Sequence, residues 1–112
     1  MNYISYGLIA LGGALGALGR YFLSTWIYSK GESVFPWGTF IVNTLGCFIL
    51  GLVYIWSTEK LIISTNTKTF LAVGVLGAFT TFSTFSLDTL SIIKAGEFKI
   101  ALFNIAGNLV LG

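Results

Sequence analysis

The sequence predicts an all-α membrane protein that forms a single four-helix transmembrane domain over residues 1–112. Apolar residues make up 55% of the chain and charged residues only 9%, whereas a soluble domain has about 25% charged residues. Four apolar segments alternate with short polar loops, and three of them reach the roughly 20 residues that a helix needs to cross a bilayer. A surface with so few charges is stable in lipid rather than in water, so we expect a multi-pass protein surrounded by membrane lipid.

Charge and residue usage exclude several functional classes. The net charge is only +2 and no cluster of lysine or arginine is present, which argues against binding to nucleic acid. Histidine is absent and no nucleophile lies beside a candidate base, so we expect no enzyme activity. The single cysteine, Cys47, has no partner for a disulfide or a metal site and is expected to be a small buried hydrophobic residue.

The first segment covers about residues 3–28 and is rich in glycine. Gly12 and Gly16 are four residues apart, as are Gly13 and Ala17, and this spacing allows the backbone of another helix to approach closely. Arg20 lies well inside the segment, where a charged side chain costs at least about 2.5 kcal/mol on insertion scales. Two interpretations of Arg20 stay open: its charge reaches the membrane interface along the aliphatic stem, or it faces an aqueous vestibule and attracts anions.

The second segment covers about residues 37–56. Pro36 and Trp37 mark its start, because proline suits the first turn of a helix and tryptophan suits the headgroup level of a membrane. Asn43 is the polar residue at membrane depth, and its amide needs partners there. It either joins helices by hydrogen bonds or offers its N–H groups to an anion.

The third segment covers about residues 69–93 and holds the most unusual stretch of the chain, residues 74–85. Gly74 and Gly77 weaken a helix there, and four hydroxyl residues follow. Such residues either bond back to the preceding turn of an intact helix or accompany an interruption of the helix. The four hydroxyl residues are Thr80, Thr81, Ser83 and Thr84.

An aromatic face follows this stretch. Phe82, Phe85 and Asp88 are three residues apart and therefore share one face of a helix. The phenylalanines either pack against lipid and protein or present the electropositive edges of their rings to an anion. We expect Asp88 to be a solvated residue at the end of the segment.

The fourth segment covers about residues 98–112 and is shorter than a full span. We therefore expect that the end of this helix is missing from the sequence. Asn104 and Asn108 are four residues apart on one stripe of the helix. Because two amides on one stripe are costly in lipid, they are expected to face protein or water.

The lysines give almost no orientation bias. With four spans, the termini and the second loop share one side of the membrane, which carries two lysines against three on the other side. Insertion in both orientations, and hence an antiparallel dimer, is therefore open to the chain. The same second loop holds the apolar residues 61–63, which we expect to rest at the membrane interface. The lysines are Lys60 and Lys68 on one side, and Lys30, Lys94 and Lys99 on the other.

Three motifs occur in order along the chain: Gly-Gly-Ala-Leu-Gly-Ala-Leu-Gly-Arg-Tyr at 12–21, Gly-Thr-Phe-Ile-Val-Asn-Thr-Leu-Gly at 38–46, and Gly-Ala-Phe-Thr-Thr-Phe-Ser-Thr-Phe at 77–85. In sequence, order and spacing they resemble the motifs of the first three helices of the Fluc (CrcB-type) fluoride channel family. Together with the segments around them they cover most of the chain.

The resemblance implies a fold and a function. The fold is an antiparallel, dual-topology dimer of four-helix subunits with two parallel pores. Its third helix is broken at mid-membrane, near residues 77–80 of this chain. Backbone carbonyls of Gly77 and Thr80 from both subunits would hold a central structural Na⁺. The function is passive export of fluoride across the cytoplasmic (inner) membrane, which confers fluoride resistance. We expect two copies of this chain in the dimer, with a paired heterodimer as the alternative.

The resemblance also implies roles for single residues. Asn43 matches the pore asparagine, and Phe82 and Phe85 match the paired phenylalanines whose ring edges line the fluoride path. Arg20 and Thr39 match residues of the vestibule.

A polar track beside the phenylalanines completes the expected pore. The hydroxyls of Ser83 and Thr84 are candidates for it on the third segment. On the fourth segment many family members carry a tyrosine and serines, where this chain has Asn104 and Asn108. Both amides offer N–H donors, so a polar track is still expected.

Two other functions compete with that of a fluoride channel. A small multidrug-type cation/proton antiporter is also a short four-helix protein, but it needs a membrane-embedded carboxylate, and the first segment has none. A non-conducting membrane subunit would have little use for so many polar residues within its spans.

Overall fold

The computed structural model describes residues 3–31, 33–60 and 63–112, and throughout these ranges the regular structure is helical. The prediction of an all-α protein is therefore confirmed. Of the predicted interfacial residues 61–63, residues 61 and 62 lie outside the described residues. The helices are α1 (Tyr3–Tyr28), α2 (Trp37–Thr58), α3 (Thr65–Lys68), a π-helix (Thr69–Leu76), α4 (Gly77–Phe79), α5 (Phe82–Lys94) and α6 (Phe98–Leu111).

Three stretches are long and apolar enough to cross a membrane: Tyr3–Tyr28, Trp37–Thr58 and Thr65–Lys94. The fourth helix, Phe98–Leu111, is apolar but shorter. Large hydrophobic side chains cover the outside of the bundle, among them Phe22 at 72% exposure. An apolar exterior of this extent fits a multi-pass membrane protein.

The helix α1 packs tightly against the π-helix through its small residues. A Cβ atom added at Gly12 would lie 2.6 Å from the carbonyl oxygen of Phe70. A Cβ atom at Gly16 would collide with the carbonyl oxygen of Val75. The two backbones thus touch at positions where only glycine fits, which is the close approach that the glycine spacing predicted.

The third segment is not a uniform α-helix before its interruption. Residues Thr69–Leu76 form two turns of π-helix, with a normal α-helix on either side. The sequence analysis did not predict this conformation. π-helical turns are rare and occur often at functional sites, and this one is separated from the break only by the three residues of α4.

The third segment is interrupted at Thr80 and Thr81. Both residues have extended backbone, with φ −82° and ψ 150° at Thr80 and φ −149° and ψ 122° at Thr81. The break thus lies at the C-terminal edge of the predicted interval 77–80, and Gly77 itself is helical. The Thr81 hydroxyl accepts the Thr84 N–H (3.2 Å), which in a continuous helix would donate to Thr80 O, whereas Leu76 O keeps the Thr80 N–H and also accepts the Thr80 hydroxyl, both at 3.0 Å. Side-chain bonds of this kind compete with the helical ladder.

A turn at Gly96 reverses the direction of the chain between α5 and α6. Gly96 has φ 82°, a left-handed conformation that glycine adopts without strain. Its N–H donates to Ile93 O at 3.0 Å, and α6 then packs against α5 and α2. The fourth helix therefore lies beside the break and beside the middle of α2.

Candidate functional site

Asn43 on α2 binds both free backbone groups of Thr81 at the break. The Thr81 N–H donates to Asn43 Oδ1 at 2.7 Å, and Asn43 Nδ2 donates to Thr81 O at 3.0 Å. The Thr81 N–H needs an oxygen as its partner, so this pair also fixes the orientation of the amide. An interrupted helix leaves backbone groups without partners, and here one side chain satisfies two of them.

A chain of side-chain hydrogen bonds leads away from Asn43, and we call it the amide chain. Asn43 Nδ2 lies 3.5 Å from Asn108 Oδ1, and Asn108 Nδ2 donates to Asn104 O (2.8 Å) and Asn104 Oδ1 (3.0 Å). Asn104 Nδ2 donates to Thr89 Oγ1 at 2.9 Å, and the Thr89 hydroxyl donates to Phe85 O at 2.8 Å. The structure thus brings together three amides that the sequence analysis had placed on two different segments.

The bonds of the amide chain differ in strength. Both N–H groups of Asn108 have partners at 3.0 Å or less. The link from Asn43 to Asn108 is 3.5 Å long, at the limit for a hydrogen bond. The Asn43 N–H that points to Asn108 is therefore the donor that a small anion can most easily capture.

A cavity of about 230 Å³ opens at the break. The two phenylalanines of the sequence motif lie on its wall, with ring centroids 5.5 Å apart and planes inclined by 51°. Phe85 is only 8% exposed, whereas Phe82 is 76% exposed. Cys47, expected to be buried, is half-buried and also lines it. The lining residues are Asn43, Cys47, Thr80, Thr81, Phe82, Phe85, Asn108, Leu109 and Gly112.

Ser83 and Thr84 do not line this cavity. Their hydroxyls lie 3.2 and 3.3 Å from the Thr81 hydroxyl, within the cap of α5. The same hydroxyl groups that the sequence offered as pore donors are thus used to start the helix.

Arg20 lies at the break as well. Its Nε donates to the carbonyl oxygen of Ala78 at 3.1 Å. In a continuous helix this oxygen would accept the N–H of Phe82, but the interruption removes that partner. Arg20 thus acts as a cap for the helix that ends at Phe79, where the helix dipole favours a positive charge.

The carbonyl groups of Gly77 and Thr80 were expected to hold a sodium ion, and their helical donors are diverted. The N–H of Thr81, four residues after Gly77, donates to Asn43. The N–H of Thr84, four residues after Thr80, donates to the Thr81 hydroxyl. Oxygen atoms released in this way fit the preference of hard cations for oxygen ligands.

A second polar cluster lies one turn before Asn43 on α2. Thr39 is only 4% exposed, its N–H donates to the Tyr28 hydroxyl at 3.3 Å, and its own hydroxyl is the side-chain partner of Asp88. Asp88 was expected to be a solvated end residue, and this was wrong. Its Oδ2 is buried and has no hydrogen-bond partner in the described part of the chain, because α5 packs this side of its last turns against α2.

Two residues of the site were missed by the sequence analysis. Thr89 was detectable, because it follows Phe85 by four residues and so extends a face that had already been recognised. Tyr28 is the last residue of the first segment, and no local pattern assigns its hydroxyl to Thr39.

Comparison with known proteins decides the family. The family signature described as "CrcB-like protein, Camphor Resistance (CrcB)" matches residues 7–112. The chain belongs to the CrcB family. Two relatives are a protein of Magnetococcus marinus, 48% identical over 92% of this chain and 84% of the relative, and one of Thermus thermophilus, 49% identical over 100% and 87%. A third, from Hydrogenovibrio crunogenus, is 44% identical over 93% and 79%.

All three relatives carry the name fluoride-specific ion channel FluC. The family that the three sequence motifs resemble is thus confirmed. It is a family of ion channels and not of enzymes, as the absence of a candidate nucleophile and base had predicted.

Proposed function

We propose that this protein is a fluoride-selective channel that lets fluoride cross the cytoplasmic membrane passively and so confers fluoride resistance. The observation that carries the proposal is the amide chain that starts at the break of the third segment. An apolar bundle has little reason to place three linked amides, one of them buried, beside a cavity unless a polar species passes there. The names of the CrcB relatives point to fluoride as that species.

The amide chain suits the chemistry of fluoride. Fluoride is small and strongly hydrated, so a pore must replace its water with donors and yet bind weakly enough for the ion to leave. The long link between Asn43 and Asn108, at 3.5 Å, supplies such a donor. Fluoride accepts the Asn43 N–H while Asn43 keeps its short bonds to Thr81, so the break is not disturbed.

The phenylalanine pair gives the ion a second, weaker kind of partner. Phe82 and Phe85 lie on the wall of the same cavity as Asn43, and the hydrogen-bearing edge of an aromatic ring is electropositive. Ring edges attract an anion without the tight grip of a fixed ammonium or guanidinium group. We infer that fluoride passes along these edges between the donors of α2 and α6.

Arg20 adds positive electrostatic potential close to the break. Its Nε is engaged with Ala78 O, and the charge of the guanidinium group extends beyond that one bond. A cation next to a low-dielectric cavity raises the local concentration of anions. The vestibule role that the resemblance implies for Arg20 is part of the same proposal.

We further propose an antiparallel dimer of two such chains, with two pores and a central sodium ion. The released carbonyl groups of Gly77 and Thr80 support a cation site that is completed by the same groups of a second copy. When bound, the ion would supply a fixed positive charge between the subunits and hold the broken helices together. The exposed face of α1 around Gly13, where a Cβ atom would meet nothing within 4 Å, leaves room for a second copy.

Efflux from liposomes tests the proposed function. Purified protein in vesicles loaded with fluoride should release it at a rate that scales with protein, as followed by a fluoride electrode. The same vesicles loaded with chloride should retain their anion. Release of chloride at the rate of fluoride, or proton-coupled uptake of an organic cation as in a multidrug antiporter, would contradict the proposal.

A further inference from the structure

A second cavity, of about 320 Å³, opens where α1 ends and α2 begins. The loop residues Lys30, Gly31 and Ser33 form its polar side, and Ile27 and Ile41 from the two helices form its apolar side. Because both helices run from the loop into the membrane, the apolar side lies deeper than the polar side. The cavity shares no lining residue with the one at the break. Its remaining lining residues are Tyr28 and Trp37.

Lys30 is the one charged side chain among the described residues that line this cavity. Its Nζ lies 4.6 Å from the centre of the Trp26 ring, four residues earlier in the chain. No carboxylate of the described residues pairs with it. The cation–π contact restrains the ammonium group, and the ring covers only one side of it. Lys30 is therefore a positioned cation with room for an anion.

The polar side of the cavity suits a phosphate group without a cation of its own. Ser33 is exposed, and its hydroxyl has no partner within the described ranges, so it offers a donor beside Lys30. Ammonium and hydroxyl donors together match the oxygens of a phosphate. A choline headgroup would seek an aromatic face, but the ammonium of Lys30 already occupies that of Trp26 and repels a second cation.

An apolar groove of about 490 Å³ follows the exposed face of α1 below Lys30. From Ser29 to Leu18 it covers roughly 16 Å of helix, at 1.5 Å per residue, which is about half of the 30 Å hydrocarbon core of a bilayer. Trp26 belongs both to this groove and to the contact with Lys30. The groove therefore has the length and the polarity for one acyl chain of a lipid in a single leaflet. It is lined by Leu18, Tyr21, Phe22, Thr25, Trp26 and Ser29.

We propose that this surface binds a phospholipid whose headgroup carries a net negative charge. Its phosphate lies between Lys30 and Ser33, and one of its acyl chains follows the groove on α1. Charge complementarity selects the headgroup, and the aromatic and aliphatic walls hold the chain. This lipid site goes beyond the proposed function, because it uses none of the residues assigned to the fluoride path.

Quenching of tryptophan fluorescence by brominated lipids tests the proposal, because bromine on an acyl chain quenches only the tryptophans that it approaches. Trp26 and Trp37 lie at the site, and Trp56→Phe removes the third tryptophan, near the other end of α2. The protein is reconstituted in phosphatidylcholine vesicles with increasing fractions of brominated phosphatidylglycerol, or of brominated phosphatidylcholine as the reference. We expect a preference of about 3- to 10-fold for phosphatidylglycerol, the range for one lysine near an anionic membrane surface.

Four variants in the same background locate the preference. Lys30→Gln should bring it close to 1, whereas Lys30→Arg keeps a cation over Trp26 and should retain it. Lys94→Gln is the matched control: it removes an exposed lysine at the end of α5, on the side of the membrane predicted for Lys30, and should leave the preference unchanged. Ser33→Ala should lower it about 2-fold, since one neutral donor is lost.

Three results would overturn the lipid site. The first is equal quenching by the two brominated lipids in the Trp56→Phe protein. The second is a loss of preference in Lys94→Gln as large as in Lys30→Gln, because the charge of the whole membrane face would then be the cause. The third is no quenching by either lipid, which would mean that protein, such as a second copy of this chain, covers the surface. The assay needs no fluoride, so its outcome is independent of the proposed function.

Discussion

The two halves of the third segment are held in different ways. The half before the break, residues 65–79, rests on α1 through direct backbone contact at Gly12 and Gly16. The half after the break, α5, is anchored by side chains: the Thr81 cap at its start and the bond from Asn104 to Thr89 further along. The first half packs closely because glycines leave room for its backbone, so it is a rigid support. The second half is held by polar side chains, and these are the groups that can bind an ion.

The largest expected effect follows from disrupting the glycine contact between α1 and the half before the break. Gly16→Ala would push a Cβ atom into the carbonyl group of Val75, so the helices must separate. We expect a loss of about 1–3 kcal/mol or more in stability, as for overpacking in a well-packed core. Thermal unfolding in detergent measures it, with Gly13→Ala as the control, because a Cβ atom there meets nothing within 4 Å. Equal stability of the two variants would show that the contact is loose.

The second largest effect concerns Asn43, which binds Thr81 at the break between the two halves. Asn43→Asp keeps an oxygen for the Thr81 N–H but removes the donor to Thr81 O and Asn108 and adds an acid to the cavity. Like charges at close range cost several kcal/mol, so we expect fluoride efflux to fall by at least about 10-fold. Asn66→Asp changes an exposed asparagine before the π-helix and should leave efflux intact. If Asn43→Asp leaves fluoride efflux undiminished, Asn43 only joins helices and has no role in conduction.

A third substitution tests the bond from Asn104 to Thr89, which anchors the second half. Thr89→Val leaves the Nδ2 of Asn104, a residue only 1% exposed, without its acceptor. We expect about 1–3 kcal/mol of destabilisation, the cost of a buried unpaired donor. Thr58→Val is the matched control, since the Thr58 hydroxyl also donates to the carbonyl four residues earlier, at 2.7 Å, but is exposed. Similar unfolding temperatures would mean that Asn104 finds another partner.

The smallest effect concerns the ring edges. Phe82→Ile keeps apolar bulk at the cavity but removes the aromatic edge, and we expect fluoride efflux to fall about 2- to 10-fold, since ring contacts contribute about 0.5–1.5 kcal/mol. Gel filtration should show the same oligomeric state as for the unaltered protein. Phe22→Ile, at another highly exposed phenylalanine, serves as the control. If both variants conduct normally, the role of Phe82 is lipid contact.

The comparison also explains which features could be predicted. Packing through glycines depends on residue spacing along one helix, so Gly12 and Gly16 were found from the sequence. The π-helix was not, because its sequence, Thr-Phe-Leu-Ala-Val-Gly-Val-Leu, is as apolar as any α-helical span. The π-helix touches α1 at Gly12 and Gly16, and local helix preferences do not contain such tertiary contacts.

The sequence by itself determined the helical class, the approximate spans, the polar residues that have no place in lipid, and through its three motifs the family. These properties follow from hydrophobicity, periodicity and residue type, which are local. Only the tertiary structure decided which partner each polar group takes: Asn43 with Thr81, Arg20 with Ala78, and Thr39 with Tyr28. A hydrogen bond needs its two atoms within about 3 Å, and residues 11 to 58 positions apart are brought to that distance only by the packing of whole helices.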